Sequence, residues 1–140
     1  ISKHRCVVIS DGYYEWKREG KRRIPYYIFA PEKGLIPMAG LWSSWTGPEG
    51  NTVNTYTVIT TEAKTTIRTI HHRMPVILNE DTYPNWLNTE NVSVSDALFL
   101  LQPYAGNLTT HPVSTLVNSP KNNLPVCTQP ADNRETLEMF

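Results

Sequence analysis

The sequence predicts an α+β domain: a curved antiparallel β-sheet with a barrel-like core and a few short flanking helices. Three observations point there. Runs rich in Val, Ile, Thr, Tyr and Trp recur between Arg5 and Leu78, and these residue types suit a pleated, half-buried surface. Gly- and Pro-containing turn signals separate the runs. Two later segments carry apolar residues at helical spacing, and both are short. Many strands joined by such turns, with few helices, match a layered α+β arrangement.

The elements follow in order. Arg5 to Ser10 is a buried strand, because Cys6, Val7, Val8 and Ile9 are continuously apolar. Asp11-Gly12 is a turn signal. Tyr13 to Lys17 is an aromatic-rich strand. Its alternation puts Tyr14 and Trp16 on one face and Tyr13, Glu15 and Lys17 on the other. The basic segment around Gly20 turns the chain into Ile24 to Phe29, a β-hairpin with a charged tip. Pro31-Glu32-Lys33-Gly34 is the next turn. Ile36 to Trp45 and Thr52 to Thr60 are strands, separated by the turn at Gly47-Pro48-Glu49-Gly50-Asn51. Glu62 to Ile70 holds a short helical turn, and Pro75 to Leu78 is one more strand. Glu80 to Asn88 and Ser93 to Gln102 are short helices. Ser93 and Asp96 resemble a capping box for the second, and Pro103 stops it. Val113 to Val117 is a last strand. Residues 118–140 read as an irregular Pro-containing tail, with a short terminal helix over Arg134 to Phe140.

The length of 140 residues fits a single domain spanning 1–140. No apolar run approaches the length of a membrane span, so no membrane partner is expected. The first residues, Ile1-Ser2-Lys3-His4-Arg5, are polar and do not form a secretory signal pattern. The chain opens without an initiator methionine, and the expectation is that it comes from inside a longer product. Thirteen basic and 13 acidic residues give zero formal charge, which argues against a strongly electrostatic nucleic-acid binder on the global count. Locally, Lys17 to Arg23 carries five cations and one anion. Such a run is either a solvated hairpin tip or a phosphate-facing patch. Cys6 and Cys127 lie at opposite ends with no Cys-x-x-Cys spacing. A reduced, intracellular protein is expected. Asn91-Val92-Ser93 and Asn107-Leu108-Thr109 match a glycosylation pattern that is frequent by chance.

Chemistry-capable residues concentrate in two places. Glu15, among aromatic residues, reads as a surface carboxylate or as a desolvated general acid–base. His71, His72 and Arg73 sit with Pro75 between apolar segments. Adjacent histidines on an extended chain point opposite ways, so one of the two would face a given site. An arginine close to a histidine suits an anionic substrate, because its planar fork pairs with phosphate or carboxylate; a turn of solvated side chains is the other reading. His71, His72, His111 and Glu15 show no metal-ligand spacing. There is no Gly-x-Ser-x-Gly elbow and no Gly-rich phosphate loop. No metal and no cofactor is expected. The tryptophans and tyrosines are core by default, with an exposed one or two able to stack on unpaired bases.

Four blocks carry a resemblance. Arg5 to Lys17, with its Asp-Gly-Tyr-Tyr-Glu-Trp core, Met38 to Trp42, Ile59 to Ala63 continuing through Ile70 to Leu78, and Pro112 to Asn118 resemble, in order and rough spacing, the SOS-response-associated peptidase (SRAP) family. The resemblance covers the chain to about Pro130. It implies chemistry on abasic sites in single-stranded DNA. In that family an N-terminal cysteine supplies an α-amine that condenses with the ring-opened sugar aldehyde. Its thiol then closes a thiazolidine ring, leaving a stable DNA–protein cross-link. The peptidase name refers to removal of the family's own initiator methionine. By position, the resemblance implies that Glu15 moves protons during Schiff-base and ring formation. His71 would handle protons at the sugar oxygen, with His72 in the variable position. Arg73 would hold a DNA phosphate, and Thr60 would hydrogen-bond near the lesion.

The family's N-terminal cysteine and a lesion-positioning asparagine lie upstream of the Asp-Gly-Tyr-Tyr-Glu-Trp block, and neither is present here. The chain is therefore expected to be the larger C-terminal part of such a domain, a monomer unable to form the cross-link alone. Expected location is intracellular: the nucleus in a eukaryote, the cytoplasm or nucleoid in a bacterium. Two other readings stay open, a non-catalytic single-stranded nucleic-acid binding module and a different hydrolase or metal protein using Glu15 with His71 or His111.

Overall fold

The computed structural model describes residues 1–131. Eight strands run β1 (Arg5–Ser10), β2 (Tyr13–Glu19), β3 (Arg22–Phe29), β4 (Ile36–Thr46), β5 (Thr52–Val58), β6 (Thr60–Glu62), β7 (Arg73–Pro75) and β8 (Thr109–Pro112). Three short α-helices, α1 (Thr65–Arg68), α2 (Tyr83–Leu87) and α3 (Val94–Phe99), interrupt or follow them. Two 3-10 turns, Thr115–Asn118 and Pro125–Thr128, close the described part. The expected α+β class with antiparallel strands is what is found. Among the described residues the strands form three small sheets, β1-β4-β5, β2-β3-β8 and β6-β7, and do not close a barrel. The terminal helix expected over Arg134 to Phe140 lies outside the described residues.

The β2–β3 hairpin forms because Gly20 alone of its two turn residues takes a positive φ, 62°. A two-residue loop of the II′ kind asks this of its first central residue. Asp11-Gly12 is a corner between two sheets rather than a hairpin turn. Ser10 Oγ accepts from the Gly12 N–H at 3.3 Å and donates to the Gly12 carbonyl at 2.5 Å. A Cβ at Gly12 would stand 2.5 Å from the Tyr27 ring, so only glycine lets β2 start here.

Three expectations need correction. Thr52 to Thr60 is not one strand. It breaks at Ile59, whose N–H donates to the Ala39 carbonyl while its own carbonyl accepts from Val76. This backbone exchange stitches the β6–β7 ribbon onto β4. The strand expected at Pro75 to Leu78 begins earlier, at Arg73, because Arg73 to Pro75 pair with Glu62 to Thr60. Val113 to Val117 is not a strand. Val113 makes a single bridge to Pro130, and Ser114 then caps the 3-10 turn by accepting from the Leu116 N–H. Local side-chain capping outcompetes the ladder there. The capping box is present: Ser93 accepts from the Asp96 N–H at 3.1 Å and donates to its carboxylate at 2.7 Å.

The first half of β4, Ile36 to Gly40, is covered on both sides. Met38 faces one core with Ile28, Ile36, Ile67, Ile70, Met74 and Ile77. Ala39, its neighbour, faces the other with Val76, Leu78, Trp86 and Ala97. The period-2 alternation of a strand produces this split. The first core lies under β2, which carries Glu15, under α1, which leads into His71, and under β7, which carries Arg73. Burying apolar area at roughly 25 cal/mol per Å² supplies the rigidity of that platform.

Candidate active site

Glu15 sits at the middle of β2, on the face that also carries Tyr13, as the alternation requires. β2 is an edge strand. At that open edge the Trp16 backbone N–H lies close enough to favour the charged form of the Glu15 carboxyl. His71 arrives from the opposite side. Helix α1 ends at Arg68, but the His71 N–H still donates to the Ile67 carbonyl at 2.9 Å. The Ala63 N–H donates to the His72 carbonyl at 3.0 Å, which anchors the next residue to β6.

The two side chains meet. His71 Nδ1 lies 3.6 Å from Glu15 Oε1, an ion-pair distance too long for a hydrogen bond. The same Nδ1 is 3.1 Å from the Arg73 carbonyl and 3.2 Å from the Arg73 N–H. Depending on tautomer the ring donates to the first or accepts from the second. Either bond fixes the ring against its own turn. The Glu15 side chain is 24% exposed and that of His71 36%, sheltered yet reachable.

Burial pushes the Glu15 carboxyl above its ordinary pKa. The charge of His71, the Trp16 N–H and the charge of His72 pull it back less strongly. This has a consequence for stability. Between the ordinary glutamate value of about 4.3 and the raised one, the folded chain binds more protons at this site than the unfolded chain. The contribution through Glu15 is thus greatest on the acid side and falls as pH rises through that window. Urea unfolding midpoints should decline with pH across the window in the wild type and less steeply in Glu15→Gln. Equal slopes would show that the folded environment does not hold the proton on Glu15.

His71 and His72 do not point opposite ways. Their ring centroids are 4.5 Å apart, and both line one cavity of about 570 Å³. The pair sits in a bend between α1 and β7, not on extended chain. Glu15, Trp16, Arg18, Arg23, Arg68 and Ile70 complete the lining. Trp16 is held there by its indole Nε1, which donates to Asn118 Oδ1 at 2.7 Å. The 3-10 turn that replaced the expected last strand delivers Asn118.

Arg73 and Thr60 form a second pair beside the first. Arg73 Nη2 donates to the Thr60 carbonyl at 2.5 Å and to Thr60 Oγ1 at 2.9 Å, and Nε donates to Oγ1 at 3.2 Å. The pair spans the β6–β7 ribbon and does not line the cavity. It joins the site through the backbone that Arg73 shares with the His71 ring.

His111 lies elsewhere, donating from Nε2 to the Thr128 carbonyl at 2.7 Å. Among the described residues no three His, Cys, Asp or Glu side chains gather in a way that could hold a metal ion. Both cysteines are free thiols. Cys6 lies inside β1 with its thiol pushed up by burial. No helix of the described part is long and apolar enough to cross a membrane.

Sequence reasoning named Glu15 and His71, which the fold brings together, and Arg73 and Thr60, which pair beside the cavity; it did not name Arg68, which lines the cavity, or Asn118, which holds Trp16. Arg18 and Arg23 were visible only as part of a charged hairpin tip. Their register opposite one another across a two-residue turn was the available signal.

Comparison with known proteins finds relatives over most of the chain. The chain is 42% identical over 142 residues to abasic site processing protein HMCES of Xenopus tropicalis, covering 88% of this chain and 42% of that protein. It is 45% identical over 123 residues to abasic site processing protein YoqW of Bacillus subtilis (strain 168), covering 86% and 55%. A crystal structure of a Bacteroides thetaiotaomicron protein superposes with a TM-score of 0.85 at 32% identity, covering 94% of this chain and 59% of that one. The chain thus spans about half the length of the curated relatives it matches. The pattern of SOS response associated peptidase (SRAP) matches residues 1–120, the stretch that holds Glu15, Thr60, His71 and Arg73, and the chain belongs to that family.

Proposed function

We propose that the protein carrying this chain processes abasic sites in single-stranded DNA by forming a covalent thiazolidine cross-link. The observation that carries the reading is the Glu15–His71 pair, 3.6 Å apart at the wall of an arginine-lined cavity. The relatives HMCES and YoqW, both abasic site processing proteins by name, support it.

In this reading the nucleophile is the family's N-terminal cysteine and is not among these 140 residues. Cys6 has a peptide-bonded nitrogen and a thiol that burial disfavours as thiolate. The amine adds to the sugar aldehyde, and Glu15, which burial keeps protonated more readily than usual, donates the proton that lets water leave. The resulting carboxylate takes a proton back as the thiol adds to the C=N bond. His71 moves the proton at the sugar ring oxygen when the ring opens, and its Nδ1 contact with the Arg73 backbone sets its orientation. Arg73, whose Nε and Nη2 are braced by Thr60, meets a phosphate through Nη1. The same proton handling serves removal of the initiator methionine. The partner is single-stranded DNA containing abasic sites, bound by a monomer inside the cell, in the nucleus or the nucleoid according to the host.

The test is a denaturing-gel assay with an abasic single-stranded oligonucleotide. A protein presenting these residues behind an N-terminal Cys-Gly is expected to give a heat-stable adduct. Residues 1–140 alone give none, and neither protein reacts with an intact strand. No adduct from the longer protein, or an adduct from residues 1–140 alone, would overturn this reading. A second reading, a non-catalytic single-stranded nucleic-acid binding module, is favoured by the three arginines on the cavity. It predicts binding that disappears with salt, where a covalent adduct persists.

A further inference from the structure

We propose that Arg18, Arg23 and Arg68 form a phosphodiester-binding subsite on the Glu15–His71 cavity, separate from Arg73. It would hold the DNA strand at the cavity wall shared by the hairpin and the end of α1. The inference rests on the nucleic-acid reading above and adds the residues that grip the strand.

Arg18 and Arg23 are direct cross-strand partners in the β2–β3 register. Like charges directly opposite one another destabilise a hairpin, and a merely solvated tip has no need of them. The one anion of the tip is taken by a different cation, with Lys17 Nζ donating to Glu19 Oε1 at 2.6 Å. Arg68 comes from a different element, the end of α1, and reaches the same cavity. Three arginines, two from the hairpin and one from α1, therefore line one cavity, and the one carboxyl in that lining, Glu15, is held toward its neutral form. The whole chain is formally neutral, so this positive charge is concentrated rather than spread.

The chemistry selects the ligand class. Guanidinium forks match phosphate oxygens bidentately. A cavity of about 570 Å³ is much larger than a lone phosphate. Trp16, fixed by Asn118 in the same wall, adds a flat aromatic surface of the kind on which a base stacks. Phosphate recognition beside an aromatic platform fits a stretch of nucleic-acid strand. With Arg73 on the β6–β7 ribbon outside the cavity and this trio lining it from the hairpin and from the end of α1, a strand crossing Glu15 and His71 would be held at two points.

The experiment is non-covalent binding of the 140-residue chain to a single-stranded oligonucleotide containing a tetrahydrofuran abasic analogue, followed by anisotropy across a salt series. Each phosphate contact on a single strand contributes about 0.7 to the salt slope. The Arg18→Gln, Arg23→Gln, Arg68→Gln triple variant is expected to lower the slope by about 2. A control with Lys3, Lys33 and Lys121 changed to Gln carries the same charge loss away from the cavity and should keep the wild-type slope. A triple variant matching the control overturns the subsite, as does a wild-type chain with no salt-dependent binding. Comparing the analogue with an intact strand judges the other question. Equal affinity for the two would count against abasic-site processing, while a lowered slope in the triple variant would still support the subsite.

Discussion

Glu15→Gln, placed in a protein that presents these residues behind the family's N-terminal cysteine, is expected to slow cross-linking to abasic single-stranded DNA by about 10²- to 10⁴-fold, the range for loss of a positioned general acid–base. The amide is nearly isosteric and keeps the hydrogen-bond capacity toward the Trp16 N–H, so the hairpin should be unaffected. What it loses is the transferable proton. His71→Ala should cost a similar factor. The double variant should cost much less than the product of the two, because groups that hand protons through one site act as a unit. Affinity for a tetrahydrofuran-containing strand should stay close to wild type in all three, separating chemistry from binding. The pH–rate profile adds a signature that a structural defect would not give. The limb governed by the raised Glu15 carboxyl should vanish in Glu15→Gln and persist in His71→Ala. Single-turnover rates unchanged in both single variants would remove the pair from the mechanism.

How this site was legible follows from the kinds of interaction that build it. The strands from Arg5 to Thr46 could be read because their apolar runs and Gly/Pro turns are local signals. The faces of β2 followed from alternation alone. Bottom-up reading left Glu15 and the His-His-Arg segment each with a bland alternative, since neither carries in its own neighbourhood the information that β2 and α1 pack on one core. The family resemblance supplied the pairing, and the 3.6 Å approach gives it a geometry. The break at Ile59 was invisible because it depends on carbonyl and N–H partners at Ala39 and Val76, far away in sequence. The β-branched residues from Val113 to Val117 resembled a strand, but a serine able to cap the next turn decided otherwise. Arg68 was missed for the same reason as Ile59: nothing near it in sequence says that it faces the hairpin.

Trp86→Ala is expected to destabilise the fold by about 3–5 kcal/mol, the range for truncating a fully buried aromatic. Trp86 is 0% exposed in the second core. It fastens α2 to β1 by donating from Nε1 to the Cys6 carbonyl at 2.8 Å. Its ring also carries the Arg5 guanidinium, 5.6 Å from the centroid. Arg5 is itself buried and donates from Nη2 to the carbonyls of Asn88 at 2.8 Å and Val92 at 3.0 Å. Its Nε and Nη1 have no hydrogen-bond partner among the described residues. Losing the indole therefore opens a cavity, removes one hydrogen bond from the Cys6 carbonyl and strips the flat partner from a charge that is already incompletely bonded. Against a typical stability of about 5–15 kcal/mol, the loss is a large fraction of what holds the domain. Trp86→Phe should cost less, about 1–3 kcal/mol, because it keeps most of the packing and gives up chiefly the Nε1 hydrogen bond. Urea titration followed by far-ultraviolet circular dichroism measures both. The Glu15–His71 pair stands on the other core, so the folded fraction of Trp86→Phe should keep wild-type affinity for the abasic analogue. A loss under about 1 kcal/mol in Trp86→Ala, the level of an ordinary point mutation, would mean that the Arg5–Trp86 cluster does not fasten α2. A large loss with binding preserved in Trp86→Phe would mean that the two faces of β4 divide the work, one carrying stability and the other the site.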